Sequence, residues 1–283
     1  MKRILVTGAN GYIGSHLVNK LNNYNYFKVI ATDIHNDNIN RKVNFIPCNI
    51  LEKCRDHDLF DKLGCPEICI HLAWQDGFNH NEQSHIDFLP LHYHFIKNLV
   101  DCGCSHIAVA GSFREYGNAN GKISEDYPTI PTSNYTWAKI SFKSLLDLYF
   151  KNKDICFQWM RFFTPFGDDY QNNSILSKIL KWEKEGKKLF AFTDGNEKYD
   201  YIHIQELVDQ IIAIVSQTNI AGPINCCSGV PISLKDFVNN FIEKNGLKIK
   251  PDYGKFARRD YDPNIIYGDK TKILKILNIT KGS

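Results

Sequence analysis

The chain has 283 residues, 43% of them hydrophobic and 23% charged, with a formal net charge of +3. That length holds one large domain or two unequal lobes around a proper core, and the composition is that of a globular protein. So small a net charge argues against a nucleic-acid partner, and no apolar run is long enough to cross a bilayer, so no membrane partner is expected.

The first strand is expected over 3–7, where Ile4-Leu5-Val6 follows Met1-Lys2-Arg3. This stretch is too short for the core of a signal peptide, so a cytoplasmic protein is expected. Thr7-Gly8-Ala9-Asn10-Gly11-Tyr12-Ile13-Gly14 comes next and opens a helix over 11–23. Its glycines have G-x-x-G-x-x-G spacing. Positions without side chains let the turn approach a pyrophosphate, and a helix N-terminus offers free N–H groups and a favourable dipole. Strand, turn and helix in that order are the context such a motif needs. A second strand over 27–32 ends at Asp33, about twenty residues beyond the glycines, the spacing of a ribose-binding carboxylate. Such a carboxylate accepts from both adenosine ribose hydroxyls and repels a 2′-phosphate, which favours NAD(H). Arg41, if close, would compensate and leave NADP(H) open. A third strand over 43–47 puts Asn49 and Ile50 beside the adenine edge.

Strands over 67–72, 106–111 and 156–162 follow, alternating with helices over 84–102 and 134–151. Short apolar strands separated by helices read as an α/β fold, a Rossmann-type doubly wound parallel sheet covered on both faces. Ser112 falls at the carboxyl end of the fifth strand, where such sheets bind ligands. Tyr135 and Lys139 are four apart on a helix and so share a face. A free tyrosine, with a pKa near 10, is a poor acid–base group at neutral pH, and a neighbouring ammonium brings it into range. Tyr135, Lys139 and Ser112 therefore read as a hydride-transfer set.

From about residue 164 the pattern loosens: Gly, Asn and Asp punctuate 167–173, and a helix over 174–185 precedes shorter elements. The expected division is a dinucleotide-binding domain over 1–165, with a return segment near 200–222, and a smaller nucleotide-sugar lobe over 166–283. The nine cysteines include no C-x-x-C pair and read as reduced core thiols rather than zinc ligands or disulfides. His80, His85, His92 and His94 lie on or near one helix, but His-x-His spacing does not put two imidazoles on one face. No metal is expected.

Six pieces, TGANGYIG at 7–14, HLAW at 71–74, GSFREYG at 111–117, YTWAK at 135–139, RFFTPFG at 161–167 and YDYIHIQEL at 199–207, span most of the chain. Together they resemble the extended short-chain dehydrogenase/reductases of the nucleotide-sugar epimerase/dehydratase group. The resemblance implies that Ser112 and Tyr135 bind the sugar oxygen and that Lys139 holds the nicotinamide ribose. Cofactor contacts are then expected at Gly8, Asn10, Gly11, Tyr12, Ile13 and Gly14, at Asp33, Ile34, Asn49 and Ile50, and at Leu72, Ala73 and Trp74, besides Tyr135 and Lys139. Substrate contacts are expected at Ser112, Phe113, Arg114, Asn173 and Arg259, the last placed like a family arginine that contacts the diphosphate. A second such arginine is replaced by Tyr199, so diphosphate binding departs from the family pattern. Phe190, Phe192 and Tyr199 either stack on a base or pack in the core, and Trp137 is a candidate wall of the sugar pocket.

The 4,6-dehydratases of this group carry Asp-Glu directly after the catalytic hydroxyl residue. Here Phe113 and Arg114 stand there and Glu115 comes one place late, which disfavours dehydration. Epimerase/reductases that work through a cysteine are disfavoured too, since none lies near Ser112. HLAW with Asp76-Gly77-Phe78, GSFREYG and Asn225-Cys226-Cys227-Ser228-Gly229 resemble the short dTDP-4-dehydro-6-deoxyglucose reductases that form dTDP-fucose. This implies NAD(P)H-dependent reduction of the C4 ketone of a nucleotide-activated sugar, such as dTDP-4-keto-6-deoxyglucose, for surface-polysaccharide sugars including lipopolysaccharide. It also implies a homodimer through 84–102 and 134–151. A 4-epimerase that keeps its NAD uses the same three residues, and a non-catalytic dinucleotide sensor needs only the glycine turn.

Overall fold

A computed structural model describes residues 1–167, 174–257 and 263–281. In chain order, β1 (Lys2–Thr7), α1 (Tyr12–Leu21), β2 (Phe27–Asp33), β3 (Asn44–Pro47), α2 (Leu59–Lys62), β4 (Ile68–His71), α3 (Ser84–Asp87), α4 (Leu89–Asp101) and β5 (His106–Ser112) form the first half. Then come β6 (Gly121–Ile123), α5 (Asn134–Phe150), β7 (Cys156–Phe162), β8 (Thr164–Phe166), α6 (Ile175–Lys184), β9 (Leu189–Ala191) and β10 (Lys198–His203). The chain closes with α7 (Ile204–Val215), β11 (Gly222–Cys226), β12 (Pro231–Ser233), α8 (Leu234–Lys244), β13 (Lys250–Asp252), β14 (Ile265–Gly268) and α9 (Thr271–Lys281). The helix expected over 84–102 is broken at Phe88, with Pro90 in the first turn of α4. Proline has no N–H to donate, so it suits a helix start and not a helix interior.

Seven strands form one sheet in the order β11-β7-β5-β4-β1-β2-β3, and every adjacent pair is parallel. From β1 the chain runs outward through β2 and β3, then crosses back to place β4 on the other side of β1. That reversal opens a crevice at the carboxyl ends of β1 and β4, where sheets of this kind bind ligands. The registered pair Thr7 and His71 sits at its floor.

One face of the sheet packs on α1 and α7 through Leu17, Leu21, Leu207 and Ile211, and the other on α4 and α5 through Phe95, Leu99, Phe142 and Leu146. Two further pieces join the larger body. β11 adds the edge strand beside β7, and α9 buries Ile273 and Ile276 in the same core as α1 and α7. The stretch over 166–283 thus supplies parts of both bodies. Apolar periodicity marks such elements as strands and helices but not which core they join.

The smaller body holds a second sheet, β12-β10-β14-β6 with β8 alongside β10, and the two-stranded β13-β9. Its core is built from Leu176, Ile179, Phe190, Phe192, Val238 and Phe241. Phe190 and Phe192 are therefore packing residues, which settles the choice the sequence left open. Among the described residues no helix is long and apolar enough to cross a membrane. All nine cysteines are free, and Cys54, Cys69, Cys104, Cys226 and Cys227 are buried.

Candidate active site

The glycine turn is closed by its own backbone. Gly8 has φ +66, a left-handed conformation that suits glycine, and a Cβ on Gly14 would lie 2.1 Å from the Gly8 carbonyl oxygen. Only a bare helix start packs this closely on the strand. Asp33 ties the turn to β2: one carboxylate oxygen accepts from the Asn10 N–H at 2.9 Å and the other from the Ile34 N–H at 2.7 Å. The Asn10 side chain is itself occupied, accepting from the Asn38 N–H at 2.8 Å. A cavity runs from Gly8 and Gly11 past Asp33 and Ile34 to Asn49 and Ile50, with Leu72, Ala73 and Trp74 on its other wall. Glycine cradle, strand-end carboxylate and helix N-terminus fit a dinucleotide. Arg41 does not face this cavity; it lines a separate depression with Asn36 and Asp37.

Ser112 ends β5 and begins a short 3₁₀ turn over Phe113–Tyr116. Its hydroxyl accepts from the Arg114 N–H at 3.2 Å, and its own N–H donates to Glu115 Oε1 at 2.7 Å. Glu115 is fully buried and also accepts from Trp159 Nε1 at 3.0 Å and from Arg161 Nε at 2.8 Å. Arg161 further donates to the Tyr116 hydroxyl at 2.9 Å and the Glu125 carbonyl at 3.1 Å. Glu115 thus serves as a structural anion that fixes the serine turn. It is not a free base, in line with the argument against dehydration.

Tyr135 stands in the first turn of α5, which is capped by a reciprocal Ser133/Thr136 box. Its N–H donates to the His80 carbonyl at 2.9 Å, its half-buried ring stacks on His80 with centroids 5.3 Å apart, and its side chain hydrogen-bonds Ser112. Lys139 lies one turn on and is buried. Its ammonium donates to the Ala110 carbonyl at 2.8 Å and sits 3.6 Å above the centre of the Trp74 ring. It is 5.8 Å from the centre of the Tyr135 ring.

These positions correct the expected tuning of the tyrosine. Burial pushes the Tyr135 phenol up to about 12, with the Ser112 hydrogen bond opposing that rise. Burial likewise pulls Lys139 down to about 7, partly offset by Glu115. The ammonium is directed to Ala110 and Trp74 rather than to the phenol, and desolvation decides both groups.

Trp74 is held in turn from below. It stacks on His92 with centroids 4.5 Å apart and donates from Nε1 to His85 Nδ1 at 3.1 Å. His92 meets His71 at 2.9 Å, and His71 meets the Thr7 hydroxyl at 2.8 Å. Burial pulls His71 down to about 3, so this polar thread is neutral. It links β1, β4 and α4 to the platform under Lys139, and no local pattern in the chain marks it beyond the individual histidines. His94 lies apart from it and meets Arg55 at 2.9 Å. Among the described residues no group of three His, Cys, Asp or Glu gathers as a metal site.

A second cavity, of about 500 Å³, opens beside the serine turn. Phe113 and Arg114 line its catalytic end with Tyr12 and Phe78, and Glu197, Tyr199 and Tyr201 line the wall supplied by β10 and the residue before it. The Arg114 guanidinium lies 5.2 Å from the Phe113 ring centre. Trp137 lines neither cavity and is 44% exposed, because its place on α5 points outward. Asn173 and Arg259, expected to touch substrate, and the neighbouring Asn172 lie outside the described residues. Glu197 escaped the sequence reading; its place two residues before Tyr199 in an alternating strand was the available signal.

The sequence matches the family model described as the NAD dependent epimerase/dehydratase family over residues 4–227. It is 36% identical, over 94% of this chain and 99% of the relative, to a dTDP-6-deoxy-L-talose 4-dehydrogenase (NAD(+)) of Aggregatibacter actinomycetemcomitans. Among solved structures it resembles a UDP-glucose 4-epimerase from Stenotrophomonas maltophila with bound NAD and formylated UDP-arabinopyranose. The TM-score is 0.85 at 18% identity, covering 98% of this chain and 93% of that one. A UDP-glucuronic acid 4-epimerase from Bacillus cereus, in complex with UDP-glucuronic acid and NAD, gives a TM-score of 0.81 at 24% identity, with 98% and 93% covered. At such identities these two likenesses concern the fold.

Proposed function

Because the chain belongs to the NAD-dependent epimerase/dehydratase family, whose members modify nucleotide sugars, we propose that it reduces the C4 ketone of a nucleotide-activated 6-deoxyhexose with NADH. The substrate class is a dTDP-4-keto-6-deoxyhexose such as dTDP-4-keto-6-deoxyglucose. The observation that carries this reading is the Ser112–Tyr135 pair beside a cavity lined by Phe113 and Arg114, with Glu115, the carboxylate that fixes the serine turn, already paired to Arg161.

Gly8, Gly11 and Gly14 would cradle the pyrophosphate of NAD(H), Asp33 its adenosine ribose, and Lys139 its nicotinamide ribose. Bound there, the coenzyme supplies the hydride that C4 receives. The neighbouring hydroxyls of Ser112 and Tyr135 would hold the ketone oxygen by two hydrogen bonds. At neutral pH a phenol with a pKa near 12 is protonated, the state needed to give a proton to the alkoxide as it forms. Phe78 and Phe113 offer apolar surface for a C6 methyl group, where a C6 hydroxyl would lose its water partners.

The relative's name describes an NAD(+)-dependent 4-dehydrogenase of dTDP-6-deoxy-L-talose, a redox step at C4 of a dTDP-linked 6-deoxy sugar, and so supports both the nucleotide and the position. The exposed Leu145 and Leu148 on α5 support the expected pairing of two chains along that helix. The reading is tested by following the reduced-nicotinamide absorbance with dTDP-4-keto-6-deoxyglucose, or its C3,C5 epimer, and NADH or NADPH. Stoichiometric loss with NADH is expected. Conversion of a C4-hydroxyl nucleotide sugar to its C4 epimer, without net change in coenzyme, would replace this reading with the epimerase.

A further inference from the structure

We propose that Glu197 determines specificity in the nucleotide-sugar cavity by accepting a hydrogen bond, through its free carboxylate oxygen, from an O–H or N–H donor on the nucleoside half of the ligand. The inference rests on the nucleotide-sugar reading above. Glu197 is only 4% exposed and directly precedes β10. Along an extended chain alternate residues share a face, and Glu197, Tyr199 and Tyr201 all line the cavity. Asp200 points the other way, taking the N–H groups of Ser228, Gly229 and Gly268 at 2.8, 2.9 and 3.1 Å. Of the two Glu197 oxygens, Oε1 accepts from the Thr193 hydroxyl at 3.2 Å. Among the described residues Oε2, although buried, has no partner. Buried polar atoms are almost always paired, and one left over at the wall of a cavity calls for a donor from outside the chain.

A carboxylate fixes what that donor can be. It accepts and does not donate, and it repels phosphate. Among the described residues that line this cavity the cation is Arg114, next to Ser112 and packed on Phe113, whose ring centre is 6.4 Å from that of Tyr199. Glu197 is one pleat repeat beyond Tyr199, about 7 Å further along. The cavity therefore has a cationic end near the reacting carbon and an anionic end away from it, joined by aromatic rings. The diphosphate belongs toward Arg114, and the nucleoside, which carries neutral donors, belongs beside Glu197. The tyrosine at 199, in place of a phosphate-binding arginine, is consistent with that ordering.

The donor is either a base N–H or a ribose hydroxyl, and binding of the intact chain to nucleotides separates them. Calorimetry would compare dTDP with its N3-methyl and 3′-deoxy analogues, and UDP with dUDP, on the wild type and on Glu197→Met. Removing the correct donor is expected to weaken wild-type binding about tenfold, as loss of a charge-assisted hydrogen bond does. Glu197→Met should weaken the parent nucleotide by the same factor and bind parent and donor-less analogue alike. Should the variant fail to fold, the wild-type series decides alone. If every analogue binds the wild type within twofold of its parent, the role of Glu197 is overturned while the nucleotide-sugar reading stands. If the wild type binds neither dTDP nor UDP, both fall together.

Discussion

Around Ser112, buried polar groups are paired with one another. Glu115 takes Ser112, Trp159 and Arg161, and Thr7, His71, His92 and Trp74 form a continuous thread beneath Lys139. Across the cavity, Glu197 keeps one oxygen unpaired among aromatic rings. The side that carries Ser112, Tyr135 and Lys139 is thus organised by the chain itself, which on the proposed function holds the proton donor and oxyanion-binding hydroxyls in place ahead of the chemistry. The opposite wall is completed by what it binds. Chemistry and selectivity lie on separate elements, so substitutions should separate them as well.

The largest expected effect is on the catalytic side. Tyr135→Phe removes the proton donor and should lower kcat by about 10²–10⁴-fold, with coenzyme affinity preserved. Steady-state kinetics together with coenzyme titration check this, and normal turnover by the variant would break the assignment of roles. Next comes the anion under the serine turn. Glu115→Leu leaves Arg161 charged and buried without its partner, and should cost about 3–5 kcal/mol in chemical denaturation. A change below 1 kcal/mol would mean that the pairing around Ser112 is not what organises this side.

Lys139 gives a sharper test through pH. Its folded pKa, about 7, lies below the ordinary lysine value, so between the two the unfolded chain binds more protons than the folded one. Stability contributed by this group must then rise as pH increases through 7, by about 2–3 kcal/mol up to pH 9, and be absent below 7. Denaturation at several pH values should show that rise in the coenzyme-free wild type and a flatter profile in Lys139→Met. The smallest effect concerns coenzyme choice. Asp33→Asn should shift the ratio of kcat/KM for NADH over NADPH by about tenfold toward NADPH, the scale of one lost charge-assisted contact. An unchanged ratio would remove Asp33 from the ribose site.

Local pattern explains what was legible in advance. The glycine turn, Asp33 and the strand ends at Asn49 and Ser112 follow from a strand–turn–helix order, and Tyr135 with Lys139 from one helical turn. The structure gathers these residues around the crevice at β1 and β4. What was not legible depends on distance in the chain. Glu115 and Arg161 are 46 residues apart, and nothing local in either signals the other. Trp74 could be placed near the coenzyme but not beneath the Lys139 ammonium, which draws the cation away from the phenol. The edge strand β11 and the helix α9 were likewise readable as elements but not as parts of the larger core. Desolvation by the surrounding chain, the dominant influence on Tyr135, Lys139 and His71, is a property of the assembled fold alone.

The most direct test of the C4 reductase assignment is to supply NADH dideuterated at its reactive carbon, with dTDP-4-keto-6-deoxyglucose or its C3,C5 epimer, and examine the product sugar by NMR. The account predicts one deuterium bonded to C4 of a 4-hydroxy product for each coenzyme oxidised. Unchanged ketone with the reduced coenzyme unspent, or a 4-hydroxy product carrying no deuterium at C4, would contradict it.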